Sequence, residues 1–151
     1  MGATYTHAEV YTIRATCETP FRTGDESGSL ETVLYSSDGR MIIQGNSIAG
    51  ALGAWCRKNR SEEYEEFFGK IGRGGSLIIS DGIFEVDDNL ILKQRPHVKI
   101  DRETGCVDNN AKSKFDMVHI SKGAVFTFSI TWLGGGDDNY VSSKCNTIEC
   151  M

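Results

Sequence analysis

An α+β fold is predicted for this chain of 151 residues. Two runs carry a strand period, one run between them carries a helix period, and glycine-rich turns mark the joints. From Val10 to Cys17 the residues alternate, with Tyr11, Ile13, Ala15 and Cys17 on one side and Thr12, Arg14 and Thr16 on the other. That is the pattern of a half-buried strand. Phe126, Phe128, Ile130 and Trp132 alternate with Thr127, Ser129 and Thr131 in the clearest strand of the sequence. Ile48, Leu52 and Trp55 recur at helical spacing and predict a stripe facing the core.

The remaining elements follow in chain order. After Pro20, the Gly-, Ser- and Asp-rich stretch from Arg22 to Ser29 predicts an irregular loop. Thr32 to Tyr35 and Met41 to Gln44 are β-prone runs joined by Ser36-Ser37-Asp38-Gly39-Arg40, whose Asp-Gly pair suits a tight hairpin turn. Gly45-Asn46-Ser47 opens a helix in which Asn46 or Ser47 is placed to cap the first amides. Gly50 and Gly53 weaken that helix, so either close approach by another backbone or plain helix packing accounts for them. Ser61-Glu62-Glu63 begins a second helix with carboxylates at the positive end of its dipole, ending near Phe67-Phe68-Gly69. Gly72, Gly74 and Gly75 predict a flexible connection. They follow a helix and lack a Gly-Lys-Ser/Thr ending, which excludes a nucleotide P-loop. Ser76 to Ser80 reads as a buried strand, residues 94–117 as a charged protruding segment, and residues 134–151 as a polar tail without a persuasive element.

Composition narrows the function. The net charge of -5 and pI near 5.2 exclude a protein that coats nucleic acid by overall positive charge. The distribution is uneven, however: Lys93, Arg95, Lys99, Arg102, Lys112 and Lys114 face only Asp101, Glu103 and Asp108 in the same stretch. Five cysteines without a Cys-x-x-Cys pair predict reduced thiols, and three histidines far apart in sequence do not predict a metal centre. No apolar run is long enough for a membrane helix and no signal peptide is read at the start, so a cytoplasmic protein is expected. No nucleophile and base stand at a useful spacing for an ordinary metabolic enzyme.

Four stretches in order resemble the RAMP superfamily. Thr19-Pro20-Phe21-Arg22-Thr23-Gly24 is similar to the loop after the family's first strand. Asp38 to Leu52, containing Gly45-Asn46-Ser47-Ile48-Ala49-Gly50-Ala51-Leu52, is similar to its signature of a turn, a strand and a glycine-rich helix start. Phe67-Phe68-Gly69 with Ser76-Leu77-Ile78-Ile79-Ser80-Asp81, and Val98-Lys99-Ile100-Asp101-Arg102-Glu103-Thr104-Gly105, match two later segments. The second of these belongs to a thumb-like projection in the backbone subunits of type III CRISPR effectors.

The resemblance implies a ferredoxin-like, RRM-related core over residues 1–133 with a thumb-like insertion at about 94–117. The family's later helix, glycine-rich loop and final strand find no counterpart in the remaining sequence, so the expectation is either a fragment or a shortened form, or a sheet edge completed by self-association or by a partner. It implies binding of CRISPR RNA and target RNA beside other effector subunits. Gly45, Asn46 and Ser47 would seat a phosphate at a helix start, and Arg95, His97, Lys99 and Arg102 would contact the strand. Where the signature often has Lys and Arg in the helix, this chain has Ala49 and Gly53, and Arg57 and Lys58 are the nearest substitutes. Glu31 falls where target-cleaving relatives carry an acid that holds Mg²⁺ for RNA cutting, with Asp25 beside it. Two alternatives are a guide-processing endoribonuclease and a protein-only scaffold that has lost RNA binding.

Overall fold

A computed structural model describes residues 5–22, 35–98, 100, 102–106 and 114–151, with positions 97, 114 and 115 as backbone only. The elements run β1 (His7–Thr16), β2 (Ile42–Ile43), α1 (Gly45–Asn59), α2 (Ser61–Phe68), β3 (Leu77–Ile79) and β4 (Gly82–Phe84). They continue with β5 (Leu92–Val98), β6 (Lys114–Ile120), β7 (Val125–Gly134) and α3 (Asp138–Glu149). Strands pair in the order β1-β7-β4-β2, with β3 also on β7, while β5 and β6 form a separate two-stranded sheet. The α+β class is therefore as the sequence predicts. Contacts divide the chain into two compact units, one of residues 1–14, 43–82 and 127–151, the other of residues 15–42 and 83–126.

The first unit buries Ile48 and Cys56 of α1, Phe67 of α2, Phe128, Ile130 and Trp132 of β7, and Ile148 of α3. Alternation along β7 holds as expected, because the even positions 128, 130 and 132 turn inward. Antiparallel pairing sets Leu77 opposite Trp132 and Ile79 opposite Ile130. Period two then turns Ile78 outward, where it is 56% exposed, rather than into the core as a buried strand would require. In α1 the buried face is Gly45, Ile48, Gly53 and Cys56, with Leu52 and Trp55 half-buried. Gly53 packs on the rings of Tyr64 and Phe68 in α2, where a Cβ would make ordinary contact at 3.4–3.6 Å, and Gly50 has nothing near its missing Cβ, so neither position shows close approach by another backbone.

Two elements of this unit correct the sequence reading. The N-cap of α1 is Gln44, so Asn46 and Ser47 lie inside the first turn and do not cap it. The stretch read as a polar tail contains α3, whose N-cap Asp137 accepts a hydrogen bond from the Tyr140 amide at 2.8 Å. A polar cluster joins α3 to α2. Lys144, 8% exposed, sits 2.7 Å from Glu66 and 3.2 Å from Glu63 of α2, and the Tyr140 hydroxyl donates to Glu66. The glycines after α2 form a tight turn rather than a loose connection. Lys70 and Arg73 bridge, and a Cβ on Gly75 would meet the Phe67 carbonyl at 2.3 Å.

The second unit buries Cys17, Met41, Phe84, Ile120, Ala124 and Val125. The Ser36 to Arg40 turn is as expected, with Gly39 at φ +80° and Tyr35 bridging Met41; the first strand of that hairpin, residues 32–34, lies outside the described residues. The charged segment read as protruding is built on the β5–β6 hairpin, in full antiparallel register from Leu92↔Ile120 to Val98↔Lys114. Ser121 ties its base by accepting from the Ile91 amide and donating to the Asn89 carbonyl.

Candidate nucleic-acid interface

The start of α1 is built to hold a helix against a strand. Gly45 donates its amide to the Asp81 carboxylate at 2.7 Å, an anion at the positive end of the helix dipole. Its Cα presses on the backbone where β3 ends, since a Cβ there would lie 2.6 Å from the Ile79 carbonyl oxygen. Gly45 is thus buried and engaged, which corrects its assignment as a free phosphate-binding amide. Asn46 and Ser47 are exposed in the same turn, and the Ser47 amide donates to the Gln44 carbonyl. The role of Asp81 at the start of α1 is not legible in the sequence, because an acid just beyond a strand gives no sign of the helix it will meet.

Arg57 and Lys58 lie beyond Ala49 and Gly53, the two positions where the signature often has basic residues. They occupy the last turn of α1, about 16 Å along the axis from Asn46. There they complement the negative end of the dipole. Arg57 is further engaged, its guanidinium lying 4.3 Å from the centre of the Tyr64 ring.

The hairpin gathers cations instead. In β5, period two sets Lys93 and Arg95 on one face, and the register places His119 opposite Lys93 and Met117 opposite Arg95. Lys93 and Arg95 are exposed. The opposite face carries Leu92, Gln94, Pro96 and Val98, with Gln94 donating to Asp116 at 3.0 Å. Lys93 belongs to the cationic stretch read from the sequence, but its place beside Arg95 and opposite His119 becomes visible only once these segments are paired strands. Arg102 is exposed in the turn 102–104. Lys99, Asp25 and Glu31 lie outside the described residues, as does the side chain of His97, so the proposed Mg²⁺ site falls there too. Among the described residues no cluster of three or more His, Cys, Asp or Glu side chains is placed to hold a metal ion.

Comparison with known proteins follows the same line. The RAMP superfamily profile matches residues 14–149. A solved chain described as "Cryo-EM structure of the Type III-B Cmr-beta bound to cognate target RNA" is similar in fold, with a TM-score of 0.67 at 15% identity. The similarity covers 93% of this chain and 51% of that one, so the present chain spans about half the length of its structural neighbour. No curated protein matches. No described helix is long and apolar enough to cross a membrane.

Proposed function

The chain belongs to the RAMP superfamily, and from that premise we propose that it is an RNA-binding backbone subunit of a type III CRISPR effector. The observation that carries the reading is the cationic hairpin face, where Lys93 and Arg95 project from one side of a two-stranded sheet in a protein of net charge -5. Cations collected on one exposed face neutralise phosphates even when the whole protein is acidic, because screening limits the reach of distant carboxylates to roughly 10 Å at 0.1 M salt. The fold likeness to a chain from a Cmr complex bound to target RNA supports the same class of partner, a guide RNA with its target, held beside other effector subunits. The exposed apolar side chains on and beyond the hairpin's other face, Leu92, Val98 and Ile100, suit contact with base edges or a neighbouring subunit.

The expected result concerns the double charge reversal Lys93→Glu with Arg95→Glu. Fluorescence anisotropy with CRISPR-repeat RNA is expected to show affinity weakened by about tenfold or more and a salt slope shallower by about two. Unchanged affinity and slope would take RNA off this face. Metal-independent cutting of the repeat by the isolated chain would instead favour the guide-processing alternative. Absence of any salt-dependent binding would favour a protein-only scaffold.

A further inference from the structure

We propose that a groove in the first unit, between the turn after α2 and the loop after β7, is a nucleotide subsite that takes one unit of single-stranded RNA or a free nucleotide. The groove has a volume of about 660 Å³, within the range of small-ligand sites, roughly 300–1,000 Å³. Bare backbone forms part of its walls, since the glycines at 72, 74 and 134–136 make up five of its twelve lining residues. Among the described residues, no hydrogen bond engages the amides of Gly74, Gly135 or Gly136.

Two aromatic rings and one cation are also in the lining. Tyr5 is 48% exposed and Tyr140 40% exposed, and both border the groove with Arg73. Rings that accept a stacked base, a guanidinium for a phosphate and walls without side chains are the elements that recognise single-stranded nucleotides. Glu66 also lines the groove, but its charge is met by Lys144 at 2.7 Å and by the Tyr140 hydroxyl. That contact holds the Tyr140 ring in place, which reduces what a base must order on binding. A peptide is the poorer fit, because Leu133 is the only aliphatic lining residue to anchor its side chains.

The groove uses none of the hairpin cations, so the inference stands apart from the reading of Lys93 and Arg95. The test is a ¹⁵N-correlation titration of the full chain with uridine monophosphate and, separately, with a uridine tetranucleotide. Saturable shifts are expected at the amides of residues 72–74 and 134–136. Shifts with both probes identify the nucleotide itself as the ligand, and shifts with the tetranucleotide alone identify a strand. Gly74→Leu adds bulk at a groove-lining position where a Cβ has nothing within 4 Å, so its first carbon meets no backbone. Gly74→Leu and Arg73→Gln are each expected to weaken binding by about tenfold at an unchanged unfolding midpoint. The double hairpin variant is expected to keep these shifts. No shift at these amides with either probe, or parental affinity in Gly74→Leu, overturns the proposal.

Discussion

Replacing Lys144 by alanine is expected to lower the unfolding free energy by about 3 kcal/mol, seen as a fall in the denaturant midpoint at unchanged slope. The side chain is 9% exposed and joins Glu63, 15% exposed, and Glu66, 28% exposed. Two carboxylates drawn out of water depend on that one ammonium, and one Glu63 oxygen already has no hydrogen-bond partner. Removing the cation leaves both charges uncompensated, which costs more than the pair contributed when intact. Glu66 keeps some access to water, which holds the cost near the lower end of the roughly 3–5 kcal/mol typical of breaking a buried ion pair. The lysine also lies over the rings of Phe67 and Tyr140, at 5.5 and 5.2 Å from their centres, so truncation loses packing as well as charge. A loss below about 0.5 kcal/mol, the size expected of an ordinary surface position, would mean that α3 docks without this cluster.

The same cluster sets a pH dependence. Burial disfavours the Lys144 ammonium, but its hydrogen bonds to Glu66 and Glu63 outweigh that cost and hold its pKa above the ordinary lysine value. The hydrogen bond to Glu66, aided by burial, likewise raises the Tyr140 phenol. In both cases the folded state binds the proton more tightly than the unfolded chain. The stabilisation is therefore complete below about pH 10 and lost as the pH rises through the folded values. Alkaline titration of stability is expected to fall more gently in Lys144→Ala than in the parent.

How much of this was legible follows from what each element is made of. β7 alternates because one face is buried and β1 because one face is half-buried, and α1 opens on a glycine, so all three are visible in the sequence. β4 has three residues, too few to show a period. β5 contains Pro96 and two cations and becomes a strand only through its pairing with β6. α3 was missed because its buried positions are Lys144, Thr147 and Ile148, two of them polar, so no apolar stripe marks it. Its partner is the acidic face of α2, over seventy residues earlier, and sequence periodicity carries no sign of a charge met across that distance. The candidate interface suffered likewise: Lys93 and Arg95 are adjacent in space only when the segment is extended.

Gly45→Ala is expected to cost about 2 kcal/mol, a fall in melting temperature of roughly 6 °C for a chain of this size. The added methyl would meet the Ile79 carbonyl oxygen at 2.6 Å and the Ser80 carbonyl oxygen at 3.0 Å. These are backbone atoms of the segment ending β3, which cannot swing aside as a flexible side chain would, so α1 must shift and lengthen its bond to Asp81. Gly50→Ala on the same helix provides the contrast. Its Cβ meets nothing within 4 Å, so the substitution is expected to stabilise by up to about 1 kcal/mol through helix propensity. The pair separates two explanations of the glycine-rich helix start. If Gly45 serves packing, Gly45→Ala loses stability and, below its melting point, keeps its affinity for repeat RNA. If it serves as a strand contact, affinity falls while the melting temperature holds, and the close approach to β3 would then have to be looser than the 2.6 Å contact implies.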